Sequence, residues 1–131
     1  MFKKAITYTD YEGNERKEDF YFNLTKAELM EMDLSENGGM DNKIKRIINT
    51  RNTKEIIEIF KDIILRSYGE KSPDGKMFIK VRNGHALSED FAQTEAYSEL
   101  FMELATDDKA ATEFISGVIP KQLSDELAAQ A

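Results

Sequence analysis

His85 is the only imidazole in the chain and stands in RNGHALSED, a polar, turn-like segment. Catalysis by this group would need a carboxylate to orient it and a nucleophile to activate. The chain has no cysteine and no recognisable nucleophile motif, so His85 reads as a solvent-exposed loop residue. The lack of cysteine also removes disulfides, thiolate chemistry and zinc-finger ligation. Asp107 and Asp108 would hold a divalent cation only with further oxygen ligands, and DDKAATEF lacks the spaced acids of a calcium loop. They read as helix-capping residues. The NGG stretch at 37–39 lacks the Gly-Lys-Ser/Thr ending of a phosphate-binding loop and reads as a helix terminator. These residues imply no catalytic group, no metal and no cofactor, and they argue against an enzyme.

Charge is distributed less evenly than chemistry. Lys43, Lys45, Arg46, Arg51 and Lys54 fall in one acid-free segment, whereas Ser88 to Glu113 holds eight acids against Lys109 alone. The basic segment is a candidate nucleic-acid patch, but its interleaved residues are isoleucines and asparagines rather than stacking aromatics. The plainer reading is a solvated face. The two segments could attract each other within one molecule or between neighbours.

Stepping from these residues to what must position them, 131 residues make one domain with a real core, and 40% hydrophobic residues suffice to fill it. The net charge of −7 disfavours general adhesion to nucleic acid or anionic membrane. No apolar run reaches the roughly 18 residues of a membrane span, and the N-terminus lacks a signal-peptide core. The composition fits a reducing intracellular setting.

The expected fold is α+β and mainly α, an N-terminal β-hairpin packed on about five helices. Residues 2–10 alternate, with Phe2, Ile6 and Tyr8 on one side; residues 18–24 do likewise with Phe20, Phe22 and Leu24. Gly13 and Asn14 suit the turn between them. A lone hairpin is barely stable in water, so helices must cover its aromatic face. Thr25 and Glu28 form a capping box, and Leu24 and Leu29 have staple spacing. SENGG then ends the first helix. A second helix is expected from Asp41 to about Thr50 with Ile44, Ile47 and Ile48 on one face. A third follows from Thr53 to Tyr68, with Ile56, Ile57, Phe60, Ile63 and Ile64 in register and Ile59 and Leu65 widening the stripe. YGEKSPDGK reads as a turn, and MFIKV as either a third strand on the hairpin or an ordered loop. Ser88 is the expected cap of a fourth helix carrying Tyr97, Leu100, Phe101 and Leu104. Thr106 or Asp107 recaps a fifth with Ala111, Phe114, Ile115 and Val118, ended by Pro120. Residues 1–120 are the expected domain and 121–131 a polar tail.

The last two helices also hold the candidate partner surface. In YSELFMELA, Phe101 and Met102 are adjacent and cannot face the same way, so one belongs at a rim. Methionine is flexible and polarizable, which suits adaptable contacts. Tyr97, Phe101, Met102 and Phe114 are therefore the partner-binding candidates.

Read together, ITYTDYEGNERKEDFYFNLTKAELMEM, EIIEIFKDIILRSYGEKSPDGKMFIK and FAQTEAYSELFMELATDDKAATEFISGVIP resemble the tail assembly chaperones of siphophages of Gram-positive hosts. The likeness covers about residues 3–120 and includes surface and core positions alike. It implies a non-enzymatic protein of the host cytoplasm during infection, absent from the mature virion. Such proteins bind the tape measure protein, keep it soluble and help the tail-tube protein polymerise around it. It also implies a programmed frameshift giving a longer form, of which this chain looks like the shorter product. An acidic domain with adaptable grooves could shield a client's amphipathic helices. The alternative is a small phage nucleic-acid-binding regulator using residues 43–54. The exposed hairpin edge and the opposed charges also make a homo-oligomer an expectation.

Overall fold

Alternation of apolar and polar residues marks β1 (Phe2–Thr9), and pairing with it extends β2 (Glu15–Phe22) back through the charged run Glu15–Asp19; the two pair antiparallel from Phe2 opposite Phe22 to Thr9 opposite Glu15. The computed structural model describes residues 1–35, 39–49 and 53–120. Asp10 shapes the connecting turn: its carboxylate accepts from the amides of Glu12 and Asn14 and from Arg16. Gly13 takes the positive φ of 86° there, and Asn14 does not share it. One face of the hairpin (Lys3, Ala5, Thr7 and Thr9 with Lys17 and Asp19) is exposed, and the other turns Ile6 and Phe22 into the core.

The capping box forms as its spacing requires. Glu28 accepts from the Thr25 amide at 2.9 Å, the Thr25 hydroxyl accepts from the Glu28 amide at 3.1 Å, and α1 (Lys26–Ser35) follows. Leu24 and Leu29 are both buried, consistent with the staple. Next come α2 (Gly39–Asn49) and α3 (Thr53–Ser67). Ile44 is buried on α2 and Ile47 packs partly against the core, while the side chain of Ile48 lies outside the described set. On α3, Ile59, Phe60, Ile63 and Ile64 are buried, but Ile57 sits at the rim of the stripe and remains 38% exposed.

The expected turn after α3 contains a strand. Tyr68 leaves the helix and opens β3 (Tyr68–Lys71), which pairs with the end of β2, and β4 (Phe78–Ile79) pairs with β3. The sheet order is β1-β2-β3-β4, so the Phe78–Ile79 strand is fourth and does not touch the hairpin directly. Four residues rich in polar side chains carry no alternation long enough to register as a strand; the open edge of β2 recruits them. Asp74 and Ser72 hold the turn between β3 and β4, with Ser72 Oγ donating to Asp74 Oδ1 at 2.7 Å.

A separate two-residue hairpin, β5 (Val81–Arg82) and β6 (His85–Ala86), turns through Asn83 and Gly84, both at positive φ. Asn-Gly is the residue pair such a tight turn demands. The expected single helix from Ser88 is divided into α4 (Leu87–Phe91) and α5 (Glu95–Thr106). Ala86, not Ser88, occupies the N-cap of α4 and offers no side-chain bond; the true cap is Thr94, whose hydroxyl accepts from the Tyr97 amide at 3.2 Å. Asp107 caps α6 (Asp108–Val118), accepting from Lys109 and Ala110. The chain then closes on itself, because the Val118 carbonyl accepts from the Leu24 amide at 2.7 Å.

The core lies between the inner face of the sheet and the helices, with buried side chains from α1 to α6. Phe91 stacks on Tyr68 at 4.2 Å and 7° and meets Phe20, Phe22 and Tyr97 edge-on or tilted; Phe114 stands edge-on to Phe2 and Phe22. Gly69 is dictated by this packing, since a Cβ there would come within 2.5 Å of the Phe78 ring and 2.7 Å of the Ile79 carbonyl oxygen. Gly69→Ala is expected to destabilise the fold by roughly 1–3 kcal/mol through overpacking, read as a lower urea midpoint at unchanged slope.

Candidate interaction surfaces

The four partner candidates do not converge on one face. The buried side of α5 is Ala96, Leu100 and Leu104; Tyr97 and Phe101 lie half-buried beside it with ring centroids 6.0 Å apart. Met102 projects on the opposite, solvent side and is 55% exposed. Phe114 is sealed at 0% exposure, wedged against Phe2 and Phe22. Helical geometry separates Met102 from Phe101 by about 100°, so the adjacency in sequence indeed sends one residue inward and the other out. A cleft of about 210 Å³ opens between β1 and the α5–α6 corner, lined by Phe2, Lys4, Leu100, Glu103 and Leu104 among others. Lys4 and Glu103 bridge it at 2.8 Å.

Lys43 and Arg46 of the basic segment face carboxylates of α3. Lys43 lies 2.9 Å from Asp62, which also accepts from Arg66, and Arg46 donates to Glu55 at 2.7 Å. Partial burial pushes the Asp62 carboxyl up, but the Arg66 and Lys43 hydrogen bonds outweigh it and hold the group below its ordinary value. Lys45 and Lys54 are exposed, and Arg51 lies outside the described residues. Carboxylates this close lower the positive potential a nucleic acid would meet.

His85 has the orienting carboxylates that the sequence reading left unassigned. Its Nε2 is 2.9 Å from Asp90 and its Nδ1 3.4 Å from Glu89. The tight β5–β6 turn sets His85 beside the first turn of α4, and the available signal was the acidic pair four and five residues downstream. The Asp90 hydrogen bond and charge raise the imidazole above its ordinary value. Among the described residues no group of three or more His, Asp or Glu side chains is placed to hold a metal ion.

One surface was missed altogether. Met30 and Leu34 on α1 are 66% and 83% exposed, on the side opposite buried Leu29 and Met32. Its signal, apolar residues at i and i+4 on a second face, was available in KAELMEMDLS but was overshadowed by the cap.

Among the described residues α1, α5 and α6 have side-chain caps, many charges are paired, and a few large apolar side chains are bare. No described helix is long and apolar enough to cross a membrane. The chain belongs to the phage tail assembly chaperone family, which its sequence matches over residues 1–131. No curated protein and no solved structure matches it.

Two outcomes are expected. Phe114→Ala should cost about 3–5 kcal/mol through the cavity it leaves, and Met102→Ala no more than about 0.5 kcal/mol, measured by chemical denaturation. In an NMR titration, His85 should titrate above its ordinary value of 6.5, and Asp90→Asn should lower it. Because the folded-state value is raised, this contact stabilises the fold below the unfolded-state value, and its contribution is lost as pH rises through the folded-state one.

Proposed function

We propose that this chaperone binds the tape measure protein of a siphophage of a Gram-positive host, keeps it soluble, and assists polymerisation of the tail-tube protein around it. The match of the whole chain to the tail assembly chaperone family carries the reading. A tape measure protein is long and helical, and before the tube encloses it its apolar stripes face water. Shielding such stripes needs no reacting group; it needs apolar side chains on firm helices and a charged remainder that keeps the complex dissolved. Met102, bare on the solvent side of α5, is the contact residue proposed there, with the half-buried edge of Phe101 about 100° around the helix from it.

The protein acts in the host cytoplasm during infection and leaves before the virion matures. A longer, frameshifted form of the chain is a further partner in the same work. The nucleic-acid reading loses ground because Lys43 and Arg46 already face carboxylates.

Co-expression of the tape measure protein with a tagged chaperone, followed by pull-down, tests the proposal. Wild type should retain the tape measure protein, and a folded Phe101→Ala/Met102→Glu variant should lose affinity by roughly tenfold or more. Undiminished retention by that variant would sink the placement on α5, and failure of wild type to retain the protein would sink the choice of client.

A further inference from the structure

Helix α1 is apolar on two opposite sides. At about 100° per residue, Leu29 and Met32 point one way, while Ala27, Met30 and Leu34 share a stripe on the far side. The first pair is buried at 6% and 4%, whereas Met30 and Leu34 remain 66% and 83% exposed. A surface helix ordinarily places polar groups opposite its buried face. Here that position holds the two most exposed large apolar side chains among those described on the helices.

The stripe is also firmly presented. The capping box fixes the start of α1, and Lys80 reaches Glu28 at 2.5 Å while donating to the Arg66 carbonyl at 2.7 Å, tying α1 to the end of α3. Burial pushes the Glu28 carboxyl up, but Lys80 and the Thr25 amide more than offset it, so the carboxyl sits below its ordinary value and stays ionised. The ten residues of α1 span about 15 Å, and the i, i+3, i+7 spacing of the stripe is that of anchors in helix-to-helix docking.

We propose that Ala27, Met30 and Leu34 form the seat for one amphipathic helix of a protein client, a helix whose apolar face is flanked by basic residues. Glu31 borders the stripe on one edge and Asp33 on the other beside Lys26, while Glu28 is already held by Lys80, in a chain of net charge −7. A second copy of α1 would bring the same carboxylates face to face. The stripe offers at most a few hundred Å², far short of the roughly 800 Å² per partner that a stable dimer buries. One helix with basic flanks meets both constraints, and Met30 can adapt its shape to successive apolar segments. The inference takes from the chaperone reading only the existence of a client, and it gives that client a second contact apart from Met102.

The probe is a fluorescein-labelled synthetic helix of about 15 residues, with leucines at i, i+3, i+4 and i+7 and lysine and arginine on its flanks. A control peptide carries glutamates in those flanks. Anisotropy titrations with the full chain should show the basic peptide binding and the acidic one roughly tenfold weaker or worse. Met30→Glu/Leu34→Glu should weaken the basic peptide by roughly tenfold or more, with circular dichroism and melting as in wild type. Equal binding by wild type and the double variant, or by the two peptides, overturns the proposal. So does a wild-type dimer in light scattering that the double variant converts to monomer, since a second copy then owns the stripe. The tape measure pull-down separates the two readings. Retention by wild type and double variant alike removes the stripe as a client seat and leaves the chaperone reading standing. Failure of wild type to retain the protein removes that choice of client, and the peptide titration then decides the stripe by itself.

Discussion

The fold depends on covering the aromatic face of a hairpin that could not stand alone. Phe20 and Phe22 project from β2 toward Phe91, and Phe91 is held in turn by Tyr68 stacked on it and Tyr97 against its edge. Helix α4 is only five residues long, too short to persist by its own hydrogen bonds. It exists because Phe91, 2% exposed, is driven into this cluster. Burial pushes the Tyr68 phenol up to about 12, so the ring stays neutral inside the cluster at ordinary pH. Buried aromatics of this size each withdraw a large apolar area from water, and their edge-to-face contacts add about 0.5–1.5 kcal/mol a pair.

Around that cluster, polar residues act mainly to end elements and join them. Thr25, Thr94 and Asp107 each satisfy helix amides that would otherwise lack partners. Lys80 ties α1 to α3, Lys4 ties β1 to α5, and the Leu24–Val118 backbone bond brings the end of α6 to the start of α1. Partly exposed pairs like Lys4–Glu103 contribute little energy in water. Their effect is to fix which helix faces which, and so which apolar side chains are left outside.

A few large apolar side chains are left outside. Among the described residues many polar groups serve helix ends and salt bridges, while Met30, Leu34 and Met102 stand out on capped helices. Surfaces of that kind suit clients with repeated apolar stripes and no unique shape, because methionine repacks at little cost.

Much of this was legible locally. The hairpin, the Thr25–Glu28 box, the Asp107 cap and the stripes of α2, α3, α5 and α6 all follow from alternation, helical spacing and cap chemistry, which act over a few residues. The strand at Tyr68–Lys71 was not legible, because its pairing partner, the end of β2, lies some 45 residues earlier. The break after Phe91 was overlooked although Thr94, the cap of α5, marks it locally, and the packing of Phe91 against the sheet holds α4 apart from α5. Exposure was the least legible property of all. Ile57 and Phe60 belong to one stripe, yet one is 38% exposed and the other 4%. The sequence by itself determined which residues could be apolar anchors; the tertiary structure alone decided that Phe114 is core while Leu34 is surface, because burial depends on what other elements bring to the same place.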